Sequence, residues 1–179
     1  MAYAAHPTRS FDFDDLLALP DDGLRYEVID GALVVNAAPS WRHQRIADRL
    51  VRVLAAAAPA GVEVISAPAW RIEPGQVPEP DVVVVERTAL GDYAVEGTPL
   101  LVIEVLSQNR GMDLVRKREL YARAGCRSYW VVDPDVPSVI VLRLVDGSYA
   151  EVAAIAGTEC VELAEPFPVT ISPAVLVAD

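Results

Sequence analysis

Four consecutive valines at positions 82–85 follow directly on Pro80-Asp81, and no other feature constrains the chain as strongly. An unbroken apolar run of this length reads as a strand buried on both faces, because alternation of side chains would otherwise leave every second residue polar. After a turn-rich gap comes a second such run, Leu100-Leu101-Val102-Ile103-Glu104-Val105-Leu106-Ser107. Each run carries a single carboxylate, Asp81 at the entrance of the first and Glu104 inside the second. An ionised, unpaired acid in such a setting costs several kcal/mol, on the order of a whole domain's margin of stability. The escapes are a neighbouring cation, a bound metal, or a strand end that opens into a cleft.

The segment after the second run predicts a helix over 111–124, closed by Gly125 and carrying Lys117 and Tyr121. The chain has fourteen arginines and one lysine, and that lysine is Lys117. Arginine serves most surface-charge roles, whereas a compact, titratable point charge is the province of lysine. A chance survivor of arginine-biased composition is the competing explanation. Two acids at neighbouring strand ends, with a lysine arriving on the next helix, suit a hard divalent cation.

The length of 179 residues fits one domain with a substantial core, with 1–10 as a loose tail and 11–179 as the folded unit. Hydrophobic residues make up 53 % of the chain, yet no apolar run approaches the roughly 18 residues of a membrane span. The first ten residues lack the apolar centre of a secretory signal, and Cys126 and Cys160 make no metal-ligand pattern. A cytoplasmic protein is the expectation, with Cys126 as a buried free thiol. The net charge of −11 argues against coating nucleic acid through a global field. Local basicity remains: residues 110–127 hold six of the fifteen basic side chains, beside the acid pair. An ordinary solvated helix face would look the same.

In chain order, residues 11–19 predict a short helix capped by Ser10 or Asp12. Residues 24–29 and 32–36 flank Asp30-Gly31, a strong hairpin signal, and alternation puts Glu27 on one face with Arg25 and Ile29. Residues 40–58 form the clearest helix, with Ser40 as cap and Ile46, Leu50, Val53, Leu54 and Ala57 as its apolar stripe. His43, in its first turn, reads by default as an exposed or core-edge histidine. Short strands are expected at 62–66 and 69–72, a strand at 127–132, and a hairpin of 139–144 with 149–155 around Asp146-Gly147. Residues 161–163 predict an edge strand and 173–177 a closing helical turn.

Hydrolysis of a phosphodiester needs an activated water and stabilisation of charge on the phosphoryl oxygens. A divalent metal on two carboxylates supplies both, and a nearby lysine orients or deprotonates the water or steadies the developing charge. Asp81, Glu104 and Lys117 meet that requirement in type and order. The same residues carry a resemblance. Tyr26-Glu27-Val28-Ile29-Asp30-Gly31, His43, Pro80-Asp81-Val82, Ile103-Glu104-Val105-Leu106-Ser107, Asp113, Lys117 to Tyr121, Gly125 and Tyr129-Trp130-Val131-Val132-Asp133-Pro134 resemble the PD-(D/E)xK nuclease superfamily. More closely, they resemble its Uma2 family of restriction-type endonucleases, also called domain of unknown function 820. The likeness covers about residues 11–178.

The resemblance implies an α/β fold, a restriction-endonuclease-like mixed sheet flanked by helices 40–58 and 111–124 and extended by the C-terminal hairpin. It implies a Mg²⁺ site, with Mn²⁺ as substitute, formed by Asp81, Glu104 and the Val105 carbonyl. Glu27 assists from behind those ligands or through a water. DNA is the implied substrate and a homodimer the implied assembly, for which a Tyr129-Trp130 sheet edge offers a surface. The chain departs from the superfamily at position 106, where leucine replaces the usual lysine. In this family Lys117 is expected to supply that charge from the rim of the cleft. Two other readings stay open: an inactive interaction protein that kept the fold, and a hydrolase of small phosphate esters. For single residues, Glu104 could instead pair with an arginine, Asp81 could cap a turn, Glu27 could lie on the hairpin surface, and Tyr121 and Trp130 could be core aromatics.

Overall fold

The computed structural model describes residues 9–107 and 110–178, residues 110–114 by backbone alone. The chain opens with α1 (Phe13–Leu17), then the hairpin β1 (Arg25–Ile29) and β2 (Ala32–Asn36), then α2 (Trp41–Ala57). β3 (Val62–Ser66), β4 (Val82–Glu86) and β5 (Leu101–Val105) follow, then α3 (Arg110–Arg123) and β6 (Ser128–Asp133). The chain ends with β7 (Ser138–Val145), β8 (Ser148–Ala156), β9 (Val161–Leu163), β10 (Val169–Ile171) and α4 (Pro173–Val177).

The central sheet has the order β3-β4-β5-β6-β7-β8. Its neighbours run antiparallel except β5 and β6, which are parallel because α3 carries the chain back between them. The mixed α/β architecture and the C-terminal hairpin are as the sequence predicts. Both Asp-Gly turns have positive φ at each central residue, 51° and 73° at Asp30-Gly31 and 48° and 79° at Asp146-Gly147. That is the twist a two-residue hairpin requires, and glycine adopts it without strain.

The valine run explains the layering. Val82 and Val84 face a core shared with Ile46, Leu50 and Leu54 of α2, while Val83 and Val85 face a second core with Leu120 and Tyr121 of α3. All four valines are fully buried. Complete burial of Leu50 or Leu54 stabilises the chain by about 2–3 kcal/mol each, so α2 is fixed on its face of the sheet. In the second core Trp70, Tyr121, Tyr129 and Tyr149 stack in sequence with ring centroids 5.5 Å apart.

Four expectations change. α1 is shorter than 11–19, since Asp12 caps it in a reciprocal box with Asp15 and the chain leaves at Ala18. Residues 69–72 form no strand: Trp70 makes only an isolated bridge to Val95, and the backbone turns back at Glu73 to bridge Gln76. β9 does not border the central sheet but pairs with β10 in a separate ribbon. β6 lies inside the sheet, with Tyr129 and Trp130 buried, so these residues form no edge for a second copy. Trp130 is a core aromatic, and Cys126 is a buried free thiol whose pKa burial pushes up to about 11.

Candidate active site

Antiparallel pairing aligns Val82 of β4 with Ile103 of β5. One step further along each strand stand Asp81 and Glu104. Alternation puts Asp81 with Val83 and Glu104 with Val102, which share the α3-side core, so the two acids belong to the same face. They are 6 % and 8 % exposed.

Asp81 sits at the end of the sheet and is held from three sides. Its Oδ2 accepts the backbone N–H of Val105 at 2.8 Å, which ties β4 to the end of β5. Arg25 Nη1 of β1 donates to Oδ1 at 3.1 Å, and His43 Nε2 of α2 lies 3.0 Å from Oδ2. Burial works to raise its pKa, but the hydrogen bond and charge of His43, the Val105 amide and Arg25 together hold it below the usual aspartate value. Arg25 is anchored in turn by Glu79, through Nε to the carboxylate at 2.7 Å and Nη2 to the backbone carbonyl at 3.0 Å.

Glu104 faces the opposite helix. Among the described residues both donors to it bind Oε1, Tyr121 Oη at 2.7 Å and Lys117 Nζ at 3.2 Å. Its pKa is pushed up to about 7, chiefly by burial, which outweighs Lys117, with Asp81 and Glu27 adding like charge. Lys117 Nζ also lies 2.9 Å from Glu27 Oε1. Glu27 is further fixed by Asn36 Nδ2 at 2.9 Å and the Glu79 amide at 2.7 Å. Burial alone would lower the Lys117 pKa, but the charges of Glu104, Glu27 and Asp81 and the hydrogen bond to Glu27 hold it well above the ordinary value.

The structure therefore brings Glu27, Asp81, Glu104 and Lys117 together, from β1, the start of β4, the end of β5 and α3. Lys117 is not the rim residue the sequence suggested: its side chain is only 12 % exposed, clasped between two carboxylates. Glu104 pairs with lysine rather than arginine. Tyr121 is both a core aromatic and a donor to the site. The side chain of Asp113 lies outside the described residues. Sequence reasoning missed Arg25 as a partner of Asp81 and Glu79 as the anchor of Arg25, and it missed His43. His43 precedes Ile46, Ala47, Leu50 and Leu54 by three, four, seven and eleven residues, so it heads the buried stripe of α2. That spacing was the available signal for an inward-facing ring.

The Val105 carbonyl meets the same histidine as Asp81. His43 Nε2 lies 3.0 Å from Val105 O as well as from Asp81 Oδ2. Two acceptor oxygens thus share one ring N–H. Among the described residues no three His, Cys, Asp or Glu side chains close into a ready cage. The donors that the resemblance implied, Asp81, Glu104 and the Val105 carbonyl, are all oxygens, the ligand type that Mg²⁺ takes together with water. That donor set fits a hard divalent ion.

Similarity to known proteins bears on this chain as a whole. No curated protein matches it. The crystal structure of a putative nuclease belonging to DUF820 from Anabaena variabilis superposes with a TM-score of 0.73. The match covers 94 % of this chain and 98 % of that one at 19 % identity, which shows a common fold. The sequence matches the family described as "Uma2: Putative restriction endonuclease" over residues 13–176, nearly its whole length. With sheet and helices arranged as that resemblance implied, the chain belongs to the Uma2 family.

Proposed function

We propose that this protein is a divalent-cation-dependent endonuclease that hydrolyses phosphodiester bonds of DNA at the Asp81–Glu104–Lys117 site. The observation that carries the reading is Lys117 Nζ, 3.2 Å from Glu104 Oε1, because it supplies from α3 the ammonium that Leu106 cannot. Mg²⁺, or Mn²⁺ in its place, would be held by Asp81, Glu104 and the Val105 carbonyl, and when bound it supplies charge stabilisation and an acidified water. Glu27 fixes Lys117 from behind. Lys117, kept protonated by its acids, orients the attacking water and steadies charge on the phosphoryl oxygens rather than accepting a proton. Tyr121 holds the Glu104 carboxylate in place.

DNA as the substrate rests on the family's description, and the reading extends to a cytoplasmic homodimer in which two such sites address two strands. No helix is long and apolar enough to cross a membrane among the described residues. A second reading has its own support. Each acid already holds an internal cation, and the net charge is −11, as an inactive interaction protein would tolerate.

The test is incubation of the full chain with supercoiled and linear DNA in Mg²⁺, Mn²⁺ and EDTA. Cation-dependent nicking is expected, lowered at least about 100-fold in Asp81→Asn and Glu104→Gln. A folded wild type that cuts no DNA in either ion favours the inactive scaffold. Hydrolysis confined to small phosphate esters favours a phosphoesterase.

A further inference from the structure

Trp41 opens α2 and is 67 % exposed, whereas the other two tryptophans, Trp70 and Trp130, are buried in the cores. Arg45, one turn further on, holds its guanidinium over the indole, 5.9 Å from the ring centroid. Trp41 and Arg45 are each two positions from His43, so helical spacing turns them to the outer face of α2 while His43 faces the sheet. This first turn lies over the strand ends that carry the acids. His43 meets Asp81 and the Val105 carbonyl at 3.0 Å, and Arg42 Nη2 donates to Pro134 O, just beyond β6, at 3.4 Å. α2 carries four arginines against one acid, Asp48, in a chain whose net charge is −11. Arg49 binds the carbonyls of Leu176 and Ala178, and Arg52 that of Asp48, while Arg42 and Arg45 stand beside the exposed indole.

We propose that Trp41 is a stacking platform for an unpaired base, with Arg42 and Arg45 on the adjoining phosphates, so that the protein takes single-stranded or gapped DNA in preference to intact duplex. The inference rests on the reading of the acid pair as a nuclease site, and it adds the form of DNA that the site receives. An indole stacks on the flat face of a base, and in an intact duplex that face is covered by the neighbouring pairs. The charge distribution favours the same substrate. A long duplex would meet the acidic remainder of the surface, whereas a short unpaired segment crossing α2 meets only its basic stripe. A helix is about 10 Å across, so the outer face of α2 is roughly three nucleotides from the acid pair at ~3.4 Å of rise each. The base held by Trp41 is therefore a flanking one, and the platform sets register rather than taking part in bond cleavage.

The test is binding to the full chain in EDTA, which keeps it independent of cleavage. Tryptophan fluorescence is titrated with a short oligo(dT), the same length of oligo(rU), an intact duplex and a duplex with a central gap. Since Trp70 and Trp130 are buried, quenching reports Trp41. Oligo(dT) and the gapped duplex should quench it, with affinity at least about tenfold above that for the intact duplex. Trp41→Ala should weaken oligo(dT) binding roughly 10- to 100-fold, and Trp41→Phe should restore most of the loss, because a phenyl ring still stacks. Arg45→Gln should reduce the slope of log affinity against log salt by about 0.7, one phosphate contact. Equal affinity for intact duplex and oligo(dT), tighter binding of oligo(rU), or a Trp41→Ala protein that binds as wild type does overturns the inference. So does dimerisation lost in Trp41→Ala without any DNA binding, which gives the indole to a second copy. These results leave the nuclease reading to the nicking assay. Conversely, quenching by oligo(dT) that Trp41→Ala abolishes, in a chain that cuts no DNA, supports the platform and counts against the nuclease.

Discussion

Lys117 Nζ lies 2.9 Å from Glu27 Oε1, so the chain's only lysine ties the β1–β2 hairpin to the end of β5. An ammonium this deeply enclosed is a structural cation as well as part of the proposed site. Removing it leaves two buried carboxylates facing each other, which costs about 3–5 kcal/mol. Lys117→Met should therefore abolish cleavage and also lower the melting temperature by roughly 6–20 °C for a chain of this size. Adding Glu27→Gln removes one of the stranded acids and should restore part of the stability but none of the cleavage, a coupling that a double-mutant cycle measures. Lys117→Arg should impair cleavage because a planar fork does not fit the space a compact ammonium fills. A Lys117→Met protein that melts within a degree of wild type would contradict the clasp.

Stability of the metal-free protein should fall as pH rises. Glu104 in the folded state has a pKa of about 7 against an ordinary 4.5, burial being the leading cause. A raised pKa means the folded state binds the proton more tightly, so this contribution is full below 4.5 and is lost as pH rises through 7. The shift corresponds to an amount on the order of 3 kcal/mol. His43 acts in the same direction near neutrality: burial would lower its pKa, but Asp81 and the Val105 carbonyl raise it on balance. Calorimetry in EDTA should give a lower melting temperature at pH 8 than at pH 5, with a smaller difference in Glu104→Gln. Added Mn²⁺ should stabilise more at pH 8 than at pH 5, since it binds the ionised acid.

Tyr121→Phe tests the hydroxyl alone. The ring is fully buried between Trp70 and Tyr129, and phenylalanine keeps that packing. The loss is a 2.7 Å hydrogen bond to a carboxylate, which stabilises the fold by about 1.5–3 kcal/mol. That bond also lowers the Glu104 pKa, so its removal raises it further. The acid limb of the pH–rate profile should then move to higher pH, with little change on the alkaline side. A profile that scales down uniformly would show that the hydroxyl positions Glu104 without setting its pKa.

Much of this site was legible because burial and charge conflict in the sequence. A carboxylate beside four valines, and another within an apolar run, demand partners, and the register of β4 on β5 makes them neighbours. Lys117 stood out by being alone. What strand and helix periodicity does not encode is the partner that arrives from elsewhere. Arg25 reaches Asp81 across 56 positions and His43 reaches Val105 across 62, contacts set by how the hairpin and α2 dock on the sheet. The misassigned edge has a similar origin: a hydrophobic strand such as β6 reads alike at an edge or in the interior, and only the docking of β7 decides. Residues 69–72 failed as a strand because the backbone partners of Ala69, Trp70 and Arg71, which are Pro78 and Val95, belong to loops.

Arg25 supplies the last prediction, in which stability and cation affinity move in opposite directions. Its guanidinium bridges Glu79 and Asp81, and both acids raise its pKa against the effect of burial, so it is charged at every working pH. In the metal-free protein it neutralises the carboxylate that a divalent ion would also use. Substituting Arg25→Gln removes a positive charge beside the proposed cation site and leaves a neutral donor for Glu79 or Asp81. The fold should weaken by about 2–4 kcal/mol, because two part-buried acids lose a shared counter-charge. Mn²⁺ affinity measured by calorimetry should rise, by roughly three- to tenfold, since the ion no longer competes with a fixed cation a few ångströms away. Cleavage at saturating Mn²⁺ tests whether Arg25 also steadies the substrate: a rate close to wild type confines it to structural pairing, and a large loss gives it contact with the phosphate. Unchanged or weaker Mn²⁺ binding in a folded Arg25→Gln protein would show that Asp81 does not hold the ion.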